Sequence, residues 1–140
     1  MNGRFFLDTS VFVYSFDVSA PAKVRRALEL IRGAVENRKG MVSYQVVQEF
    51  FNVALRRFAK PMTVAEAEQY LSTVFRPLLA IQSSQALYGE ALRLSQRFVL
   101  SWYDSLIIAA ASEGQCDVLY SEDLQSGQRF GNLQVTNPFL

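Results

Sequence analysis

Four acidic residues carry the chemical content of this sequence: Asp8, Glu49, Asp104 and Asp123. Each stands where a hydrophobic stretch begins, ends or turns inward. Asp8 closes Arg4-Phe5-Phe6-Leu7, Glu49 sits inside Val46-Val47-Gln48-Glu49-Phe50-Phe51, Asp104 opens an apolar run from Leu106 to Ala111, and Asp123 follows Val118-Leu119-Tyr120. A carboxylate in apolar surroundings costs several kcal/mol unless it is paired, neutralised or bound to a cation. Four such placements suggest one acidic pocket suited to a divalent metal ion. Each acid also has a plainer reading: Asp8 as an Asx-turn, Glu49 as an exposed helix residue, Asp104 as a capping-box partner of Ser101, Asp123 as a turn residue. The joint placement, not any single acid, points to a site.

Absences narrow the chemistry. The 140 residues contain no histidine, which excludes a Ser-His-Asp triad, a Cys-His pair and histidine acid–base catalysis. The single cysteine, Cys116, excludes an intrachain disulfide and a Cys/His zinc site. Protein ligands to a metal would be mainly oxygen, which suits Mg²⁺ or Mn²⁺. A water activated by such an ion is then the expected nucleophile, and phosphodiester hydrolysis the expected reaction. Asp8 and Asp104 are expected as direct ligands, with Glu49 and Asp123 completing the shell directly or through water. Thr9 and Ser121 could position water or phosphate.

These residues need a scaffold. The length suits one domain spanning residues 1–140, with a composition ordinary for a globular protein. No apolar run is long enough to span a membrane, and a cytoplasmic location is expected. The net charge of +1 gives no global signature for nucleic acid. Eleven of the fourteen basic residues are arginine, though, and Arg25 and Arg26 are weak candidates for RNA phosphate contact, against the plainer reading of a solvated helix face.

Strands are expected at Arg4–Leu7, Met41–Val42, Pro77–Ile81, Asp117–Tyr120 and Leu133–Val135. Helices are expected after caps at Thr9 or Ser10, Ser43 (running to about Phe58), Thr63, Ser83 or Ser84, and Ser101, with Pro21 in the first turn of another. The alternation predicts an α/β fold: a central parallel sheet of about five strands with helices on both faces. Ligands bind beyond the carboxyl ends of such strands, where Asp8 and Asp123 would project.

Four segments match a known family in order and spacing: Phe6-Leu7-Asp8-Thr9-Ser10-Val11, Ser43-Tyr44-Gln45-Val46-Val47-Gln48-Glu49-Phe50, Trp102-Tyr103-Asp104-Ser105-Leu106-Ile107-Ile108-Ala109-Ala110-Ala111 and Leu119-Tyr120-Ser121-Glu122-Asp123-Leu124. The chain resembles a PIN-domain ribonuclease of the VapC toxin type, from type II toxin–antitoxin systems. The resemblance implies a single PIN-like domain and an endoribonuclease dependent on Mg²⁺ or Mn²⁺, with Asp8, Glu49, Asp104 and Asp123 lining the metal pocket. It further implies a homodimer and a VapB-like antitoxin whose tail blocks the acidic site. Some relatives carry another acid further along the last loop, where this chain has Ser126-Gly127-Gln128, which leaves any second metal open.

Two other classes compete. A catalytically silent PIN-like module would bind RNA or a protein without cutting. A phosphoryl-transfer or receiver-like domain also has an aspartate after its first strand, but this chain lacks an Asp-x-Asp pair at Asp8 and has no P-loop. Tyr14, Phe16, Tyr44, Trp102 and Tyr103 lie near the acidic motifs and are candidates for stacking on splayed bases, although core packing is the commoner use of aromatics.

Overall fold

The computed structural model describes residues 2–140. Its centre is a six-stranded sheet in the order β3-β2-β1-β4-β6-β5. The strands are β1 (Phe5–Leu7), β2 (Gly40–Ser43), β3 (Leu79–Ile81), β4 (Val118–Tyr120), β5 (Arg129–Phe130) and β6 (Leu133–Thr136). All pairings are parallel except β5 with β6. Flanking helices are α1 (Thr9–Tyr14), α2 (Pro21–Asn37), α3 (Tyr44–Ala54), α4 (Val64–Tyr70), α5 (Arg76–Leu78), α6 (Gln85–Arg97) and α7 (Trp102–Glu113). The fold is the expected α/β class, with one strand more than expected. Phe6 and Leu7 point to opposite faces of β1 and both are fully buried, so helices cover the sheet on both sides.

Local chemistry accounts for most of the boundaries. Pro21 occupies the first turn of α2, where its missing N–H costs nothing. Thr63 and Glu66 form a reciprocal capping box at the start of α4. Ser84 and Ser101 cap α6 and α7 through the backbone N–H groups of Leu87 and Asp104. Helix α7 is buried from Ser105 to Ala111.

Four expectations need correction. Asp8, rather than Thr9 or Ser10, caps α1. Ser43 stands at the cap of α3 but makes no capping hydrogen bond. Helix α3 stops at Ala54, short of Phe58, because the chain turns there and swings Phe58 back against Phe50 and Phe16. Pro77 lies in α5 rather than in a strand. Between α4 and α5 the chain makes a π-helical turn, Leu71–Phe75, that delivers Phe75 to a fully buried position.

Gly40 marks a close approach of α2 to the sheet. A Cβ there would collide with the Cα and Cβ of Ala34 on α2 and with the Phe5 ring. Gly40→Ala is expected to cost about 1–3 kcal/mol through overpacking. Gly33→Ala, which meets nothing within 4 Å inside α2, serves as the control and should gain up to about 1 kcal/mol. Equal urea midpoints for the two variants would rule out this close approach.

Candidate active site

The chain leaves β1 toward β2 on one side and later returns to β4 on the other. That reversal opens a crevice at the carboxyl ends of β1 and β4, the usual ligand position in such sheets. The register aligns Leu7 with Tyr120, and the Asp8 N–H donates to the Tyr120 carbonyl at 3.0 Å. Asp8 and the segment after Tyr120 therefore enter the crevice together.

A cavity of about 450 Å³ occupies this crevice, and Asp8, Glu49, Asp104 and Asp123 all line it. Four distant stretches of sequence thus deliver their acids to one place. Thr9 also lines the cavity, while Ser121 stands just behind Asp8. A larger cavity, about 970 Å³, opens at the opposite edge of the sheet beside Asn2, Asp117 and Leu133. Its charges are mixed (Glu90, Arg97, Asp117, Arg129), so volume and chemistry separate here, and the chemistry favours the smaller cavity.

Asp8 is the buried anchor, 6% exposed. Its Oδ1 accepts from the Thr9 N–H at 2.7 Å and its Oδ2 from the Ser121 hydroxyl at 2.7 Å. Burial pushes its carboxyl up to about 6 against the pull of these two hydrogen bonds, with the charges of Asp123 and Glu49 adding to the rise. Glu49 Oε1 accepts from the Thr9 hydroxyl at 2.6 Å, and Oε2 from Gln45 Nε2 at 3.3 Å. Gln45 also donates to the Tyr103 carbonyl at 3.2 Å, tying α3 to the start of α7.

Asp104 uses only its backbone N–H for the Ser101 cap. Its carboxylate does not return to Ser101 and remains available to the cavity. Asp123 is exposed at the rim, and its N–H donates to Ser121 Oγ at 3.3 Å. Partial cover by the cavity wall, then the charges of Asp104, Glu122 and Glu49, raise its carboxyl.

Among the described residues no three acidic or cysteine side chains already converge into a metal cage. The acids stand apart, as like charges do, with Asp8 and Glu49 held by hydroxyl and amide donors. The donor chemistry nevertheless fits a hard cation. It is all oxygen, Asp104 and Asp123 keep carboxylates that accept no hydrogen bond among the described residues, and Ser10 Oγ is buried in the wall with no partner.

Arg25 and Arg26 do not join this site. Both lie on α2 outside the cavity, and Arg26 is occupied by the Pro138 carbonyl and Glu29. Of the aromatics, Phe16 packs among Phe50, Phe58 and Tyr70, whereas Tyr103 is exposed and lines the cavity. Sequence reasoning missed Gln45 as a partner of Glu49, although its place one helical turn before that acid was a usable signal. It also missed Glu122, whose partners Lys23 and Tyr14 lie about a hundred residues away.

Three comparisons bear on this arrangement. The family model described as PIN domain matches residues 5–128. No curated protein matches the chain. Similar solved structures include a toxin–antitoxin complex from Klebsiella pneumoniae, at 17% identity and a TM-score of 0.67 over 95% of this chain and 96% of that one. The sarcin–ricin loop cleaving toxin VapC20 of Mycobacterium tuberculosis is similar at 22% identity and a TM-score of 0.59, over 85% of this chain and 89% of that one. VapBC2 from Rickettsia felis, bound to a DNA fragment from its promoter, is similar at 22% identity and a TM-score of 0.63, over 95% of this chain and 97% of that one. The structural likenesses speak for the fold, and the family match spans most of the sequence: this chain belongs to the PIN domain family.

Proposed function

We propose that this protein is a metal-dependent endoribonuclease, the toxin of a VapBC-type toxin–antitoxin pair. One observation carries the reading: four acids from four separate segments line a single pocket at the carboxyl edge of a parallel sheet. Asp8, Glu49, Asp104 and Asp123 would hold the ion. When bound, Mg²⁺ or Mn²⁺ supplies an activated water and offsets the charge developing on the phosphate.

The chain's own groups prepare the site. Thr9 holds two acids at once, Asp8 through its N–H and Glu49 through its hydroxyl. Ser121 fixes Asp8 Oδ2 and accepts from the Asp123 N–H, so β1 and β4 set the spacing of those acids together. With its carboxyl near 6, Asp8 is mostly ionised at neutral pH and ready for a cation. Tyr103, exposed at the cavity wall, offers a ring on which a splayed base could stack.

An antitoxin partner fits the surroundings. A mainly apolar cavity of about 570 Å³ shares Val13 and Val53 with the acidic one, offering an apolar seat beside a pocket that attracts an arginine. A homodimer and a cytoplasmic location complete the proposal. The exposed Leu92 and the Tyr88–Trp102 pair, with ring centroids 6.3 Å apart, offer apolar surface for self-association.

The test is transcriptome-wide mapping of new RNA 5′ ends after brief induction in bacterial cells, wild type against Asp104→Asn. A few sharp cut sites confined to the wild type are expected. Identical end maps from soluble proteins would remove the nuclease reading and leave a silent binding module.

A further inference from the structure

Glu122 is a fifth acid at the rim of the same cavity, immediately before Asp123, yet it is bound differently from the other four. Its Oε1 accepts from the Tyr14 hydroxyl at 2.7 Å, and its Oε2 pairs with Lys23 Nζ at 2.8 Å. Both oxygens are therefore engaged by groups on other elements, Tyr14 at the end of α1 and Lys23 in the first turn of α2.

The cation, about a third exposed, lies against two aromatic rings. Lys23 Nζ stands 4.2 Å from the centre of the Tyr14 ring and 5.7 Å from that of Phe139. Those two rings meet edge to face at 5.1 Å. Arg26 Nε donates to the Pro138 carbonyl at 3.3 Å and holds the C-terminal segment over them. Four stretches of chain, α1, α2, the loop after β4 and the C-terminal segment, thus close on one ion pair. An isolated surface pair contributes little, but a carboxylate held at both oxygens, with its cation over aromatic faces, is a defined geometry.

The loop needs such a hold. Residues 121–128 carry no strand or helix, and the tethers of its far half are Gly127 N–H to the Val135 carbonyl, Val135 N–H to the Gln128 carbonyl and Asn137 N–H to Ser126 Oγ. At its near end Ser121 and Glu122 make the side-chain hydrogen bonds to other elements and Leu124 is buried in the core, with Asp123 between these anchors.

We propose that Tyr14, Lys23 and Glu122 form a clasp that fixes this loop and so aims Asp123 into the acidic pocket, with Glu122 itself kept out of the ligand set. The clasp residues are positioning residues: they act on the ion through Asp123. Lys23 also cancels a charge that would otherwise add to the repulsion among the four acids. This inference rests on the metal-site reading above and specifies which residues tune it.

The test is calorimetric titration of Mn²⁺ into the metal-stripped full chain, without RNA, for wild type, Lys23→Met, Lys23→Arg and Tyr14→Phe. Melting temperatures and RNA-cleavage kinetics are recorded beside it. Lys23→Met is expected to weaken Mn²⁺ binding by about tenfold or more, the scale of losing an outer partner of a metal site. Its metal-free melting temperature should stay near wild type. At limiting Mn²⁺ its kcat should fall while KM for RNA holds. Lys23→Arg should restore most of the affinity, and Tyr14→Phe should show a smaller loss in the same direction, which carries the test if Lys23→Met does not fold. Equal or tighter Mn²⁺ binding by the folded clasp variants overturns the clasp alone. A wild type that takes up no Mn²⁺ overturns both the metal site and the clasp.

Discussion

Asp8→Asn is expected to cut RNA cleavage steeply while making the metal-free protein more stable. The two effects share one cause. Asp8 is the most buried of the four acids, and its carboxyl titrates near 6 in the fold, against an ordinary aspartate value of 3.8. Between those pH values the folded chain keeps a proton that the unfolded chain has lost. Stability therefore falls as pH rises from about 4 to about 6, and stays level above that. Asp123, raised in the same direction, adds to the decline. At neutral pH the burden from Asp8 is on the order of 2–3 kcal/mol. The neutral amide lifts it and keeps a carbonyl for the Thr9 N–H, while the Ser121 hydroxyl can turn to accept from the new amide.

In chelator at pH 7.5 the variant should melt about 5–10 °C above wild type, with a flatter dependence on pH. Saturating Mn²⁺ should raise the wild type's melting temperature and barely move the variant's, since binding to the folded state alone contributes about 2.7 kcal/mol at a hundredfold excess over Kd. Cleavage should drop on the order of 10²–10³-fold, the scale of losing one preorganised electrostatic group. A variant that melts below wild type in chelator would show instead that the two hydrogen bonds to Asp8 outweigh its burial.

Phe50→Ala is expected to be the most damaging single change to the fold. Phe50 is fully buried and stacks on Tyr70 at 4.9 Å. It also meets Phe12, Phe16, Phe51, Phe58 and Phe75 at centroid distances of 5.3 to 6.4 Å. These rings come from α1 and the turn after it, α3 and the turn after it, α4 and the π-helical turn, so no one element can collapse into the void. The loss should be about 3–5 kcal/mol, a large share of a stability of roughly 5–15 kcal/mol. Glu49 precedes Phe50 on α3, so looser packing here also loosens an acid of the site. Urea unfolding gives the number directly, and a loss under about 1 kcal/mol, the cost of a tolerated core swap, would mean the cluster repacks freely.

Much of this architecture was legible in the chain because its signals are local. The capping box at Thr63, the caps at Ser84 and Ser101 and the proline at the start of α2 each act within one helical turn. The meeting of Asp8 and Asp123 followed from strand-end geometry, which places residues after β1 and β4 on one edge, whereas Glu49 and Asp104 stand on helices and were joined to them by their apolar settings and the family resemblance. What escaped was set by distant partners. The two-residue β5 is too short to show alternation and exists through its antiparallel pairing with β6 across Gly131, at φ +62°. The π-helical turn answers to the aromatic cluster rather than to any propensity of Leu71–Phe75. Arg26 looked free for phosphate because nothing nearby in sequence reveals that the Pro138 carbonyl occupies it.

The central position of β1 has a consequence for biosynthesis. Its neighbour β4 and the Ser121 hydroxyl that secures Asp8 lie 113 residues downstream of that acid. At roughly 5–20 residues per second, Asp8 leaves the ribosome on the order of ten seconds before its partner is made. Until then one edge of β1 is bare and the four carboxylates belong to separate, unjoined segments. The four-acid pocket therefore cannot assemble on the nascent polypeptide until most of the fold has been synthesised.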